Sequence, residues 1–517
     1  VPLDPAYPEG RLAFMLDDAA PCLIVADAGS AALAARLSGG RRRVVDVGAL
    51  HGAGPRPGAV PPDAVAYLLY TSGSTGEPKG VAQSQRNVVH HARAYAENLG
   101  IDPDDRLALI ASFSFDAAVM DLYGALLSGA TVCPRDVRRH GIAGLAGWIR
   151  RMRITVLHAT PTLFRELVSS DPDRASLAGV RLVVLGGEPA TREDARAVRT
   201  LFAADCVLVN GLGPTESTVS LQYFVHRDTP LVGASLPVGV PVRETAVERI
   251  GPDGMPCAGV GEIVIRSSRV ALGYWRRPEA DAAAFLRSDD DGATRRYRTG
   301  DLGRLRVDGT LEHAGRRDDQ LKLRGVRIEP REIEAALETH PDVARAVAGV
   351  RADARGESLL VAWVLPRDGR MPERRRLSTW LRDRLPRSMI PARFERLDAV
   401  PLTPSGKVDR RAPSMTADVG ADELEGRRPS SPVEVELERL WCELLGRERI
   451  GIDEDFMDAG GQSLQAIRLA EMLRQRHGLT MPLRDLVEGE TIASLARRIE
   501  GTGPDAASGT TNVEMLF

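Results

Sequence analysis

Four short apolar runs limit what this chain can fold into. Ala66–Tyr70, Ile154–Leu157, Leu182–Leu185 and Val207–Val209 each end in a cluster of Gly, Ser, Thr or Pro. Runs of this length, bounded in this way, predict buried strands. Amphipathic stretches between them predict helices, so residues 1–315 read as mixed α/β. Ligand sites in such sheets lie beyond the carboxyl ends of the strands. Glu262–Arg266 predicts one more strand, in a part richer in β structure. A length of 517 residues leaves room for several domains.

The pattern breaks near Gly315–Asp318, where GRRDDQ interrupts the apolar runs. A smaller α/β unit follows, to about Pro413. Residues 414–430 are polar and without aromatics, which predicts a linker. Residues 431–500 predict a small helical bundle. Ser431, Pro432 and Glu434 form a helix start, with Ser as N-cap and Pro at the first position. Leu437, Leu440, Trp441, Leu444 and Leu445 repeat at helical spacing, and Gly446 predicts the stop. A second helix is predicted from Ser463 toward Gly478 and a third from about Thr491 to Ile499. Residues 501–517 read as a tail or linker. The expected divisions are thus 1–317, 318–413, 414–430, 431–500 and 501–517.

Composition excludes some functions. A net charge of -3 and a pI near 6.4 give no basic excess for nucleic acid or an anionic membrane. No apolar run approaches the roughly 18 residues of a membrane span. Cys22, Cys133, Cys206, Cys257 and Cys442 lack metal-ligand spacing, and such an odd, sparse set predicts reduced thiols and a cytoplasmic protein. The first residue is Val1 and no signal peptide precedes it, so the sequence reads as beginning inside a longer polypeptide.

Of 68 basic residues only three are lysine: Lys79, Lys322 and Lys407. Lysine persists where a compact ammonium on a flexible stem is needed and a planar guanidinium does not fit. Lys79 closes the segment Thr71-Ser72-Gly73-Ser74-Thr75-Gly76-Glu77-Pro78-Lys79-Gly80. There glycines let backbone N–H groups approach phosphate oxygens, hydroxyls add donors and the lysine adds charge. The spacing is not that of a P-loop.

With this segment the chain resembles the adenylate-forming superfamily, and within it the adenylation domains of nonribosomal peptide synthetases. The matching motifs run in family order along nearly the whole chain. They are Val1–Pro5, Phe115-Asp116, Asn210–Glu216 (NGLGPTE), Gly261–Ile263, Ala271–Tyr274, Tyr297–Leu302, Gly315–Asp318, Gln320–Glu329 (QLKLRGVRIE), Leu385-Pro386, Met389–Pro391 and Ser405–Arg410. Asp458–Leu464 resembles the motif in which 4′-phosphopantetheine is attached to serine, here Ser463. A serine opening a helix suits a phosphodiester, which the helix N-terminus favours.

The resemblance implies a large α/β adenylation subdomain whose start is missing, a small α/β subdomain, and an all-α four-helix-bundle carrier domain. It implies activation of an amino acid with ATP as aminoacyl-AMP, then transfer to the carrier thiol, the small subdomain turning about a hinge at Asp318. Implied ATP-binding residues are Thr71, Ser72, Gly73, Ser74, Thr75, Gly76, Lys79, Leu212, Thr215, Asp301 (ribose hydroxyls) and Arg316. Glu216 is implied as Mg²⁺ ligand and Lys407 as the catalytic lysine. Lys322 is either a hinge-loop contact or a solvated charge. Asp116 is implied to pair with the substrate ammonium. Ala117, Met120, His158, Val184, Gly186, Gly211, Val219 and Ser220 are implied to line the side-chain pocket.

The sequence departs from the family at Leu212, where an aromatic is usual, at Ala459 and Gln462 of the carrier motif, and at Arg331. Implied partners are the amino acid, flanking condensation or other synthetase domains, a phosphopantetheinyl transferase, and an MbtH-like protein docking near Glu9–Pro21. Nucleic acid and membrane are not among them. Two other readings stand beside this one. An acyl- or aryl-CoA ligase is disfavoured by Asp116 and the attached carrier. A non-catalytic scaffold presenting the carrier is disfavoured by Lys407, Asp301 and Glu216.

Overall fold

The fold comes from a computed structural model. It describes residues 1–50, 58–73, 76–142, 144–287, 294–352, 358–401, 408, 427–445, 447, 449–456, 459, 461, 463–479, 481, 486 and 490–501. Lys407, Ser74, Thr75, Gly446, Asp458, Gly460 and Gln462, most of the expected linker and the tail beyond residue 501 lie outside them.

Three of the four apolar runs are neighbours in a seven-stranded sheet. The strands Arg106–Leu109, Thr131–Pro134, Val156–Ala159, Leu182–Leu185 and Val207–Leu212 are mutually parallel, and Leu221–Val225 and Val240–Pro241 extend the sheet antiparallel. Leu182–Leu185 is buried at every position, as a strand covered on both faces must be. The helices Leu145–Met152, Pro161–Ser169 and Arg192–Leu201 cover one face. Gln85–Leu99 and Asp116–Ser128 cover the other. Chain order reverses between Arg106–Leu109 and Val156–Ala159, a switch point that opens a crevice at the carboxyl ends.

The fourth run lies elsewhere. Val65–Thr71 pairs antiparallel with Lys79–Ser84 in a separate three-stranded sheet, so the glycine-rich segment is a hairpin loop and not a strand-to-helix turn. The expected β-rich part is a five-stranded antiparallel sheet containing Gly261–Ser267, Arg295–Leu305 and Leu311–Arg316.

Local chemistry fixes the helix starts. Ser84 Oγ accepts from the Asn87 amide at 3.2 Å and opens Gln85–Leu99. Thr191 and Asp194 form a reciprocal capping box at the start of Arg192–Leu201. The sheet-covering helices Gln85–Leu99 and Asp116–Ser128 meet closely at Gly124, where a Cβ would come 2.9 Å from the Tyr95 ring.

After Arg316 the chain forms the hairpin Leu321–Leu323/Val326–Ile328. The helix Pro330–Glu338, the sheet Val343–Ala352/Ser358–Pro366/Arg393–Arg396 and the helix Arg374–Arg382 follow. One face of that sheet packs on the hairpin and both helices. The opposite face carries Val347, Val361, Trp363 and Val408.

The last unit has three described helices of the expected bundle: Pro432–Leu445, Ser463–His477 and Ile492–Gly501. The expected capping box is present: the Glu434 amide donates to Ser431 Oγ at 3.2 Å and the Ser431 amide to Glu434 Oε2 at 3.1 Å. Trp441 and Phe456 meet edge to face at the centre of an apolar core. Arg468 on the middle helix grips Glu166 of the large unit through two hydrogen bonds, 3.0 and 2.5 Å. No described helix is long and apolar enough to cross a membrane.

Candidate active site

The site lies where the large unit and the hairpin Leu321–Ile328 meet. Its centre is Glu216, at the end of the turn after Val207–Leu212, with no exposed surface. The turn is tight: a Cβ on Gly213 would fall 1.6 Å from the Thr218 carbonyl oxygen, so only glycine fits. Tyr274 donates its hydroxyl to Glu216 Oε1 at 2.7 Å. Arg327 of the hairpin spans both oxygens at 3.1 and 2.9 Å. Lys79 Nζ stands 3.9 Å from Oε1 and 4.1 Å above the Tyr274 ring.

Burial would raise the Glu216 pKa. The charges of Arg327 and Lys79 and the Tyr274 hydroxyl outweigh it and bring the carboxyl down to about 2. A folded-state pKa below the unfolded one stabilises the fold above the unfolded value, about 4.3 for Glu. That stability is lost as pH falls through about 2. The hairpin is therefore expected to stay docked well below pH 4. Hydrogen exchange at Val326–Ile328 across pH 2–5 checks this, and release near pH 4 would contradict it.

The glycine-rich loop touches the same unit. Ser72 Oγ donates to the Arg327 carbonyl at 2.9 Å. The Glu332 carboxylate binds Arg11 at 2.5 Å, and the Gly73 backbone is near enough to favour its charge. Thr71 Oγ1 is buried and has no hydrogen-bond partner. Donors expected to meet phosphate are thus partly held by the small unit here. A Cβ at Gly76 would come 3.1 Å from Ala335.

Asp301 is fully buried. Its Oδ1 binds Arg316 at 2.7 Å and His313 Nε2 at 3.1 Å, while Oδ2 has no hydrogen bond and Lys322 Nζ lies 3.7 Å away. Burial opposes its ionisation, but the His313 contact and the charges of Lys322 and Arg316 hold its pKa well below the ordinary range. Lys322 is accordingly a half-buried contact of Asp301, with its own pKa lowered by desolvation. Arg316 also binds Asp318 at 2.7 and 2.8 Å, linking the expected hinge residue to this cluster.

The third group surrounds the carboxyl ends of the parallel strands. Asp116 opens the helix Asp116–Ser128; burial, with help from the Glu216 charge, raises its pKa against a Thr215 hydrogen bond. Met120 and Val184 are buried in the core beneath, with Val219 packed against it. Ala117 follows Asp116 in the first turn. His158 ends its strand with Nδ1 2.9 Å from Asp121 Oδ1. A Cβ at Gly186 would sit 3.7 Å from the Gly211 carbonyl and 3.9 Å from His158 Nε2. Ser220 donates to Ser217 Oγ at 2.8 Å, so its hydroxyl hydrogen is held by the loop and only its acceptor lone pairs remain. Leu212 packs into the core with Tyr274 and Tyr297 instead of presenting a face.

Ser463 is the first residue of a 15-residue helix, the setting a phosphodiester requires. Sequence reasoning does not single out Arg327, Tyr274 as a Glu216 partner, Asp121 or Tyr95. Arg327 lies within the hinge segment QLKLRGVRIE. Asp121 is a lone carboxylate in the apolar stretch AAVMDLYGALL, a signal that could have found it.

The residues fit the implied ligands. Asp301 Oδ2 is a buried acceptor awaiting a donor such as a ribose hydroxyl. No three described His, Cys, Asp or Glu side chains gather as a metal cage. Mg²⁺ would therefore be held by Glu216 together with nucleotide phosphates and water.

This arrangement defines an adenylate-forming enzyme joined to a carrier. Residues 1–275 match the AMP-binding enzyme family, to which the chain belongs. Residues 332–407 match the AMP-binding enzyme C-terminal domain and 435–499 the phosphopantetheine attachment site. Among curated proteins the chain is 36% identical over 97% of its length to the dimodular nonribosomal peptide synthase of Bacillus subtilis. It is 33% identical over 100% of its length to tyrocidine synthase 2 of Brevibacillus parabrevis. It spans only 21% and 14% of those two proteins. Among solved structures, holo-PA1221, an NRPS protein with adenylation and PCP domains bound to a vinylsulfonamide inhibitor, matches with a TM-score of 0.77. Identity there is 28%, covering 96% of this chain and 83% of that one.

Proposed function

We propose that the chain is a nonribosomal peptide synthetase segment that activates an α-amino acid with ATP and loads it onto its own carrier. The observation carrying this reading is that a phosphopantetheine attachment domain, with Ser463 at its helix start, follows the AMP-binding unit in one chain. In the first step the amino-acid carboxylate attacks the α-phosphorus of ATP, the bond to pyrophosphate breaks, and aminoacyl-AMP forms. Asp116 pairs with the ammonium, Asp301 accepts from the ribose, Glu216 holds Mg²⁺, and Lys407 neutralises charge between carboxylate and phosphate. Ser463 would carry a pantetheine arm whose thiol would take the aminoacyl group, with AMP as the leaving group.

The two steps need different faces of the small unit. The hairpin carrying Arg327 packs on one face of its sheet, and Val408, next to Lys407, packs on the other. With Arg327 on Glu216, the arrangement suits transfer; a turn about Asp318 exchanges the faces. We assign 1–317 and 318–413 to the two adenylation subdomains and 431–500 to the carrier. Flanking synthetase domains and a phosphopantetheinyl transferase are the partners this reading requires. An MbtH-like protein would meet the exposed Ala20 beyond the helix Glu9–Ala19, and co-purification tests that.

Pyrophosphate exchange with a panel of amino, aryl and fatty acids tests the reading. Exchange with an amino acid supports it; exchange only with aryl or acyl acids replaces it with a ligase of another substrate class. Side-chain choice has its own test. The reading of a large substrate side chain rests on the lack of side chains at Gly186 and Gly211, where a Cβ would meet its neighbours at 3.7 Å, an ordinary contact. Gly211→Leu is expected to shift exchange toward smaller amino acids. Wild-type preference for alanine, with no change in the variant, would contradict a large pocket.

A further inference from the structure

We infer that Asp121 is a positioning residue that holds His158 with a hydrogen on Nε2, and so commits the pocket to a side chain bearing a hydrogen-bond acceptor. This deepens the amino-acid reading above and rests on it. Asp121 sits in the middle of an apolar helix and is 1% exposed. Its Oδ1 meets His158 Nδ1 at 2.9 Å and the Tyr95 hydroxyl at 3.2 Å, and its Oδ2 has no hydrogen-bond partner. Among the described residues no Arg or Lys forms an ion pair with it.

A buried carboxylate without a cation is costly, so the Asp121–His158 pair must be neutral as a whole. Two neutral arrangements leave no hydrogen on Asp121 unbonded. In one, ionised Asp121 faces an imidazolium. In the other, protonated Asp121 donates to Nδ1 of a neutral ring. Both place a hydrogen on Nε2. A third, with the proton on Asp121 Oδ2 and the ring hydrogen on Nδ1, leaves a buried O–H without an acceptor. A bare Nε2 therefore requires either that unpaired Oδ2–H or an ionised Asp121 beside a neutral ring, which leaves the buried charge unpaired. Burial pulls the imidazole pKa down, and the charge and hydrogen bond of Asp121, with Asp116 adding, more than reverse it.

Nε2 faces the glycine floor, 3.9 Å from where a Cβ on Gly186 would lie. Ser220, the other polar residue expected there, gives its only hydrogen to Ser217 and is left as an acceptor. The floor therefore offers a donor. The ring beneath it is fixed from behind, because Gly124 lets Tyr95 close over Asp121. A buried donor left unpaired penalises analogues that lack its partner.

The test is pyrophosphate exchange by the full chain with matched pairs: threonine and valine, asparagine and leucine, glutamine and methionine. Wild type is expected to favour the acceptor-bearing member of its best pair by at least about 100-fold in kcat/KM. Asp121→Asn and His158→Leu should bring that ratio to within about tenfold, through KM for the amino acid with KM for ATP unchanged. His158→Gln, which keeps an N–H donor, should retain the direction of preference even if Asp121→Asn folds poorly. Wild-type preference for the apolar member, or an unchanged ratio in both Asp121→Asn and His158→Leu, overturns the inference alone. Exchange with no amino acid overturns the amino-acid reading and this inference with it.

Discussion

Ser463→Ala abolishes loading of both pantetheine and amino acid, and leaves adenylate formation at the wild-type rate: that is the first expected result. The phosphodiester needs the Ser463 hydroxyl, and no other side chain at the start of the helix Ser463–His477 can replace it. The residues assigned to ATP lie in the large unit, with Lys407 in the small one, and Ser463 is not among them. Mass spectrometry after treatment with a phosphopantetheinyl transferase reads the first half, and pyrophosphate exchange reads the second. A mass gain in the variant, or a fall in exchange, would contradict the assignment.

Lys407→Ala is expected to slow adenylate formation by orders of magnitude, at a cost of about 3–4 kcal/mol in the barrier. Only three lysines occur among 68 basic residues, and this one falls in a segment matching the family's catalytic motif. Its role belongs to the first step alone. Its neighbour Val408 packs on the sheet face opposite the hairpin that carries Arg327. Loading from supplied aminoacyl-AMP should therefore suffer far less than exchange. Equal losses in both half-reactions would remove the case for a turn between them.

Local pattern made much of this legible. The buried runs at Leu182–Leu185 and Val207–Val209 became adjacent parallel strands because covered strands need continuous apolar sequence. The Ser431–Glu434 capping box formed as its spacing requires. What stayed hidden was long-range. Val65–Thr71 has the same apolar character as the parallel strands, yet its partner is the next strand in a hairpin, a pairing that character alone does not specify. Ser220 is implied to line the pocket, but its bond to Ser217 is set by the turn around Gly213 and cannot be read from spacing. Arg327 on Glu216 joins residues 111 positions apart, and no spacing rule reaches that far. Asp121 is visible as an isolated charge, but its meaning needs His158 brought to its side.

The most direct measurement is the intact mass of the phosphopantetheine-bearing chain, incubated with ATP, Mg²⁺ and its preferred amino acid. The account predicts one added aminoacyl group, dependent on ATP, absent in Ser463→Ala and removed by hydroxylamine. An aminoacyl group that forms on free coenzyme A while the chain's own mass stays unchanged would contradict it.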